Sequence, residues 1–146
     1  MCIWDPHQQN QIDLIEKVQK RAARFVTNNF TLIKGNSDKN LTTLGWLPLR
    51  ERRARIKVTL LFKAINGLID IPIHDLLSRQ IHTRTKTSNL ILPQSTINSH
   101  LYSFYPDTIR LWNSLPQSIK LSATLPAFKA SVCDTSVTCT TLRETN

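Results

Sequence analysis

The spacing of apolar residues near the start of the chain predicts a long amphipathic helix. Asp5 followed by Pro6 is typical of a helix N-terminus, and the Asn28-Asn29 pair is expected to end the helix. At about 100° per residue, six apolar residues share one side: Leu14, Ile15, Val18, Ala22, Phe25 and Val26. Four basic residues share the other side: Lys17, Lys20, Arg21 and Arg24. We therefore expect the apolar side to be buried and the basic side to face solvent.

A second amphipathic pattern predicts a helix from residue 48 to about residue 66, with Gly67 as its C-terminal cap. Its apolar stripe consists of Ala54, Val58, Leu61, Ile65 and Leu68, widened by Leu49, Ile56, Leu60 and Ala64. The opposite face carries Arg52, Arg55, Thr59, Lys63 and Asn66. The second half of the helix is apolar nearly all round, so we expect it to be buried against other elements.

Three cations of the second helix fall on its apolar side: Arg50, Arg53 and Lys57. Such side chains either extend their charged ends to solvent or contact acidic groups. We expect the acidic partners to be residues such as Asp13 or Glu16. Arg53 and Lys57 are therefore predicted to act chiefly in folding.

Turn residues and prolines predict the shorter elements between these helices and the C-terminal part. Residues 35–38 are predicted to form a loop, followed by one helical turn over residues 40–44 that Gly45 closes. After a short turn over residues 73–77, the polar and Thr-rich residues 79–89 are expected to form a second loop.

A small β-hairpin and two short helices are predicted for the C-terminal part of the chain. Residues 90–92 and 100–105 are predicted strands that pair antiparallel, each followed by proline. Pro106 then opens a short helix that carries Ile109 and Trp112, and a last helix runs from residue 124 to about residue 132. The expected fold is mainly α: a small helical domain with two long amphipathic helices, short helices and one short β-hairpin. One domain is expected over residues 1–132, with a frayed or disordered tail over 133–146.

The charge of the chain is concentrated in one third of its length. The sequence has 19 Lys and Arg against 10 Asp and Glu, a formal net charge of +9, and residues 17–63 hold 12 of the basic and 2 of the acidic side chains. This charge predicts an acidic partner, with nucleic acid ahead of an anionic membrane. Neither an apolar run that could span a bilayer nor a signal-peptide pattern is present, so we expect an intracellular protein of the nucleus or cytoplasm.

The sequence contains no pattern typical of an active site. Its acidic residues are sparse, whereas metal-dependent phosphate chemistry needs several of them together. The three cysteines (Cys2, Cys133 and Cys139) are odd in number and lack the spacing of a zinc site. We therefore expect no catalytic residue, no metal, no cofactor and no small-molecule substrate.

The basic side chains are the candidate functional residues. A helix that lies along a nucleic-acid backbone offers it one face, and six residues are placed to act as phosphate contacts: Lys17, Lys20, Arg21, Arg24, Arg52 and Arg55. The alternative is that these residues only form helix faces that are exposed to solvent. The basic run over residues 50–57 also resembles a nuclear-localisation signal.

The aromatic residues allow two interpretations as well. Three tryptophans, with the group Tyr102, Phe104 and Tyr105, could stack on unpaired bases if their faces are open. Aromatic residues of a small domain usually lie in its core, and we expect this of Trp112 in particular.

Several stretches resemble the C-terminal tail of the reverse transcriptases of non-LTR retrotransposons, the LINE-type elements of the jockey and related groups. They are, in order, WDPHQQNQIDLIEKVQKRAARFV (4–26), LGWLPLRERRARIKVTLLFKAINGLIDI (44–71) and SFYPDTIRLWNSLPQSI (103–119). A further stretch, ATLPAFKASV (123–132), resembles the last helix of that tail. The resemblance covers about residues 3–132.

This resemblance implies a fragment of a protein that nicks target DNA and copies its own RNA at the nick, an RNA-directed DNA polymerase. The paired aspartates of the polymerase palm and the endonuclease have no counterpart in this chain, so no catalytic residue of the family matches a position here. The implied function is a non-catalytic tail that contacts template RNA or target DNA, with the remainder of a reverse transcriptase as a possible partner. Two alternatives stay open: a protein-interaction module that docks on the polymerase core, and an inactive relic of the element.

Overall fold

The computed structural model describes residues 5–30, 35–70, 89–92, 97 and 102–135. Six α-helices lie in this part of the chain. In chain order they are α1 (Gln9–Val26), α2 (Asn36–Thr43), α3 (Leu49–Ile65), α4 (Phe104–Ser114), α5 (Gln117–Lys120) and α6 (Leu125–Asp134). The predicted turn over 73–77 and nearly all of the predicted loop over 79–89 lie outside the described residues. Of the tail predicted over 133–146, Cys133 and Asp134 belong to α6 instead, and residues 136–146 lie outside the described residues.

The mainly α class is confirmed, because helices account for 67% of the described residues. The predicted β-hairpin is not supported, since the described residues include no strand. Residues 93–96 and 98–101 of that prediction lie outside the described residues. Leu90 forms only an isolated bridge, and Phe104 and Tyr105 begin helix α4 instead of ending a strand. Pro106 explains the second difference, because its fixed φ suits the first turn of a helix and its missing N–H is not needed there.

By its internal contacts the chain divides into two compact units, Met1–Arg53 and Ala54–Asn146. The boundary between them falls within α3. The single domain expected over residues 1–132 stays a prediction.

In the first unit, helix α1 packs against helix α2. The buried apolar residues of these two helices are Ile12, Ala23 and Leu41. Side-chain hydrogen bonds also connect the residues after α1 to α2. Asn36 Nδ2 donates to Asn29 Oδ1 at 3.0 Å, and Asn29 Nδ2 donates to Asn40 Oδ1 at 3.3 Å. The helix α2 begins within the predicted loop over 35–38, because Gly35 at φ 90° turns the chain directly into it.

Two polar side chains of α1 hold the segment that leads into α3. The Glu16 carboxylate accepts from the backbone N–H groups of Leu49 (3.2 Å) and Arg50 (2.7 Å), and Gln19 Nε2 donates to the Leu47 carbonyl at 2.9 Å. The first N–H groups of a helix have no partner within it, and a carboxylate satisfies them well. Glu16 therefore caps α3 across 33 residues of sequence.

The prediction for α1 is wrong in its start and in the side it buries. The helix begins at Gln9 rather than at Pro6, because the Asp5 carboxylate accepts from Arg53 Nε at 3.0 Å instead of capping α1. The buried residues are Ile12, Gln19 and Ala23, whereas the predicted core residues Leu14, Val18, Phe25 and Val26 are exposed. The apolar pattern of the helix thus does not mark the side that the fold covers.

The second unit has an aliphatic and aromatic core built from the last part of α3 and from α4, α5 and α6. Phe128 lies at its centre, with its ring 4.2 Å from that of Phe62 and 6.0 Å from that of Trp112 between centroids. Leu90 and Ile109 pack into the same cluster. The predicted burial of Trp112 is confirmed.

Helix α3 agrees closely with its prediction. It ends at Ile65, and Gly67 takes a left-handed φ of 64°, a conformation that glycine adopts without strain. Ala54, Val58 and Leu61 are buried as expected, together with Phe62 and Ala64. The stripe is narrower than predicted, because three of its apolar residues are exposed: Ile56, Ile65 and Leu68.

Candidate nucleic-acid interface

Helix α1 places three basic residues in one row along its surface. Lys17, Arg21 and Arg24 follow one another at spacings of four and three residues, so that each lies about one turn beyond the last. Lys17 and Arg21 are exposed, and neither makes an ion pair within the described residues. The ends of both side chains are therefore available to an anion.

Arg24, the third residue of the row, is half-buried. Its Nε is enclosed and has no hydrogen-bond partner in the part of the chain that the structure describes. A buried N–H without a partner is costly, so a phosphate oxygen that reached the guanidinium would satisfy it.

Lys20, the fourth predicted contact on α1, lies at the edge of the row. Its Nζ is 2.7 Å from Asp38 Oδ1 on α2. The pair is largely solvent-exposed and therefore weak, but Lys20 is the one of the four that makes an ion pair within the described residues. Lys20 thus contributes less positive charge to a ligand than its position on the helix suggested.

The two predicted contacts on α3 differ in their surroundings. Arg52 is exposed and belongs to the first unit. Arg55 belongs to the second unit, and its Nη2 donates to the Cys133 carbonyl at 3.0 Å. That carbonyl lies at the C-terminal end of α6, where the helix dipole favours a positive charge. Part of the Arg55 guanidinium therefore serves the fold.

The cations expected to act in folding do contact acids, but the predicted partners are wrong. Arg53 pairs with Asp5, and Lys57 Nζ lies 2.6 Å from Asp107 Oδ2. Glu16 is not the partner because its two oxygens cap α3. Asp13 is not either, since its carboxylate accepts from Gln9 Nε2 one turn away at 2.7 Å.

Sequence reasoning did not single out Lys120, a buried cation in the second unit. Its Nζ donates to Asn89 Oδ1 at 2.7 Å and to the Asn113 carbonyl at 3.1 Å. Burial lowers the pKa of Lys120, because the charged form loses its hydration. No pattern in the sequence marks this residue, which lies between Ile119 and Leu121.

A shallow groove of about 320 Å³ lies between α3 and α6 in the second unit. Ile56, Leu60 and Val132 form its apolar wall, and its cations are Arg55, Lys63 and Lys129. No acidic side chain lines it, so the groove is a second positively charged surface.

Two aromatic residues of the C-terminal part lie on a helix and not on a strand. Phe104 and Tyr105 lie on the first turn of α4, with ring centroids 5.4 Å apart in an edge-to-face contact. Tyr102, Tyr105 and Trp46 are each more than one third exposed, and Trp4 lies outside the described residues.

Among the described residues, no group of three or more His, Cys, Asp and Glu side chains is placed to hold a metal ion. No helix in that part of the chain combines the length and the apolar character needed to cross a bilayer. Comparison with models of protein families, with curated proteins and with solved structures yields no match.

Proposed function

We propose that this chain binds the nucleic-acid backbone through the basic row of α1, as a non-catalytic segment similar to the C-terminal tail of non-LTR retrotransposon reverse transcriptases. The observation that carries the proposal is the position of Lys17 and Arg21. They are exposed, lie one turn apart on one helix and have no acidic partner within the described residues. Arg24 continues the row by a further turn.

Electrostatics support a phosphate ligand. Contacts between cations and phosphates release counterions from the nucleic acid, so they supply affinity that is independent of base sequence. A formal net charge of +9 also attracts a polyanion over distances of about a Debye length, near 8 Å at physiological salt. We therefore propose backbone binding with little sequence preference.

The contacts made by the stretches that resemble the reverse-transcriptase tail also favour a binding role for the basic row. In the stretch Arg110-Leu111-Trp112-Asn113-Ser114-Leu115-Pro116, the three large apolar residues are buried and the Asn113 side chain bonds to the Leu90 backbone. These residues serve the fold of the second unit. The basic row of α1 is not used in this way.

The dependence of binding on salt tests the proposal. We expect a labelled oligonucleotide to bind the intact chain with an affinity that decreases as salt is added. The slope of log binding constant against log salt concentration should become smaller in magnitude by about 2–3 when Lys17, Arg21 and Arg24 are all changed to Gln. The matched control changes Lys39, Lys63 and Lys129 to Gln, which removes the same charge from other helices.

The control variant should keep most of the slope. Equal losses in the two triple variants would contradict a special role of the row, because net charge or the groove that Lys63 and Lys129 line would then attract the ligand as strongly. Absence of measurable binding by the unmodified chain at low salt would overturn the proposed function altogether.

A further inference from the structure

The most apolar surface of α1 faces outward. Leu14 is 59% exposed, Val18 69% and Phe25 76%, and Ala22 between them is exposed as well. These four residues form one continuous stripe, because residues three and four apart are neighbours on a helix surface. An exposed apolar stripe of this size on a small unit indicates a surface that a ligand covers.

The charge beside this stripe lies along one edge only. Lys17 and Arg21 adjoin it on one side, in a helical row that begins at Asp13 and ends at Phe25. The Asp13 carboxylate accepts from Gln9 Nε2, one turn away from Lys17 along the row. The opposite edge is formed by Gln11, Ile15 and Val26, none of which carries a charge. From Lys17 onward, the surface is therefore a row of cations that runs parallel to a row of apolar side chains.

We propose that this surface binds single-stranded nucleic acid, with phosphates on Lys17 and Arg21 and base faces on the apolar stripe. The inference rests on the proposed function and names its substrate class. An unpaired strand has charge along one edge and flat, weakly polar bases along the other. Its asymmetry matches that of the helix.

Other ligands match the one-sided charge less well. A duplex turns its bases inward, so contact with its backbone leaves Leu14, Val18 and Phe25 exposed. A partner helix in a coiled coil places charged residues on both edges of the apolar surface, and an anionic bilayer attracts cations at both edges.

Phe25 is the residue expected to distinguish a single strand from a duplex. It lies one turn beyond Arg21, and its ring is the most exposed of the large apolar side chains of α1. Stacking on an aromatic ring is available to every base, so it adds affinity without sequence preference. Since the side chain contributes little to the core of its unit, its replacement should leave the fold intact.

The experiment compares fluorescence-anisotropy binding of an oligothymidylate of about 20 nucleotides with that of a duplex of the same length. For Phe25→Ala we expect single-strand affinity to fall on the order of five- to a hundredfold, the effect of one lost stacking contact, with duplex affinity unchanged. Phe25→Trp should retain single-strand binding. Leu121→Ala, which removes an exposed apolar side chain of the second unit, is the matched control and should change neither affinity.

Three results would overturn the inference. If Phe25→Ala weakens single-strand and duplex binding equally, or weakens neither of them, the stripe does not contact bases. The proposed binding to the nucleic-acid backbone would still stand in that case. If Phe25→Ala instead abolishes binding to vesicles of phosphatidylserine and phosphatidylcholine without affecting the oligothymidylate, the stripe is a membrane contact. If neither nucleic acid binds the unmodified chain, this inference fails together with the proposed function.

Discussion

The carboxamide of Asn113 occupies both hydrogen-bonding groups of the Leu90 backbone. The Leu90 N–H donates to Asn113 Oδ1 at 2.9 Å, and Asn113 Nδ2 donates to the Leu90 carbonyl at 2.8 Å. A neighbouring strand would supply the same pair of bonds in a sheet. Because Leu90 is only 8% exposed, water is a poor substitute for either bond.

We predict that Asn113→Ala destabilises the second unit by about 2–4 kcal/mol, since it leaves a buried donor and a buried acceptor without partners. Urea unfolding of the variant and the unmodified chain measures the difference. Ser118→Ala, an exposed position nearby in sequence, is the control and should change the free energy of unfolding by less than about 0.5 kcal/mol. A loss no larger than that of the control would show that the Leu90 backbone finds other partners.

Removal of one partner from the buried ion pair between Lys57 and Asp107 should be strongly destabilising, whereas replacement of both should not. The side chains are 5% and 16% exposed, so Asp107→Ala leaves an enclosed ammonium and is expected to cost about 3–5 kcal/mol. Replacement of both residues, Lys57→Met with Asp107→Leu, should recover most of that loss in the same unfolding assay. The exposed Lys20–Asp38 pair provides the comparison: Asp38→Ala should cost less than about 1 kcal/mol. Similar costs for the two Asp substitutions would contradict the burial of the first pair.

Trp112 is expected to be indispensable to the second unit. Its side chain is buried against the Phe128 ring, and Trp112→Ala should cost about 3–5 kcal/mol through lost contacts and the cavity left behind. Trp46→Ala removes a partly exposed ring of the first unit and is the matched variant. Thermal melting followed by circular dichroism should show a large loss for the first variant and a small one for the second. An unchanged melting temperature for Trp112→Ala would mean that the ring is open to solvent.

Lys120 should make stability depend on pH in the alkaline range. Burial lowers its pKa in the folded chain below the ordinary value of 10.5, so between these two values the unfolded chain binds more protons. The free energy of unfolding of the unmodified chain, relative to that of Lys120→Met, should therefore rise as the pH increases through this window. Below the lowered pKa both states are protonated and the difference should be constant. Urea unfolding at a series of pH values up to about 10.5 measures it, and a difference that does not change with pH would contradict the prediction.

Local signals in the sequence were sufficient to predict several features of the fold. Gly67 ends α3 because a left-handed residue is needed there, and Thr124 caps α6 with its hydroxyl accepting from the Ala127 N–H. Both features depend on residues within one helical turn. The burial of Trp112 could likewise be inferred from its spacing to Ile109.

Contacts between distant residues account for what the sequence did not reveal. Spacing shows which residues of α1 share a side, but the covered side carries Gln19, whose partner Leu47 lies 28 residues further along the chain. The candidate site has the same limit. Lysine and arginine could be recognised by type, whereas the pairing of Lys20 with Asp38 and of Arg55 with the Cys133 carbonyl arises only in the fold.

Glu16 and Gln19 fix the rotational phase of α1 about its own axis. They lie three residues apart on one side of the helix and hold the segment 47–50 at two points. A rotation of α1 that buried Leu14 would break both attachments and leave the first turn of α3 without its cap. Two polar residues therefore oppose the burial that the apolar pattern alone would favour, and they keep the opposite side of the helix turned to the outside.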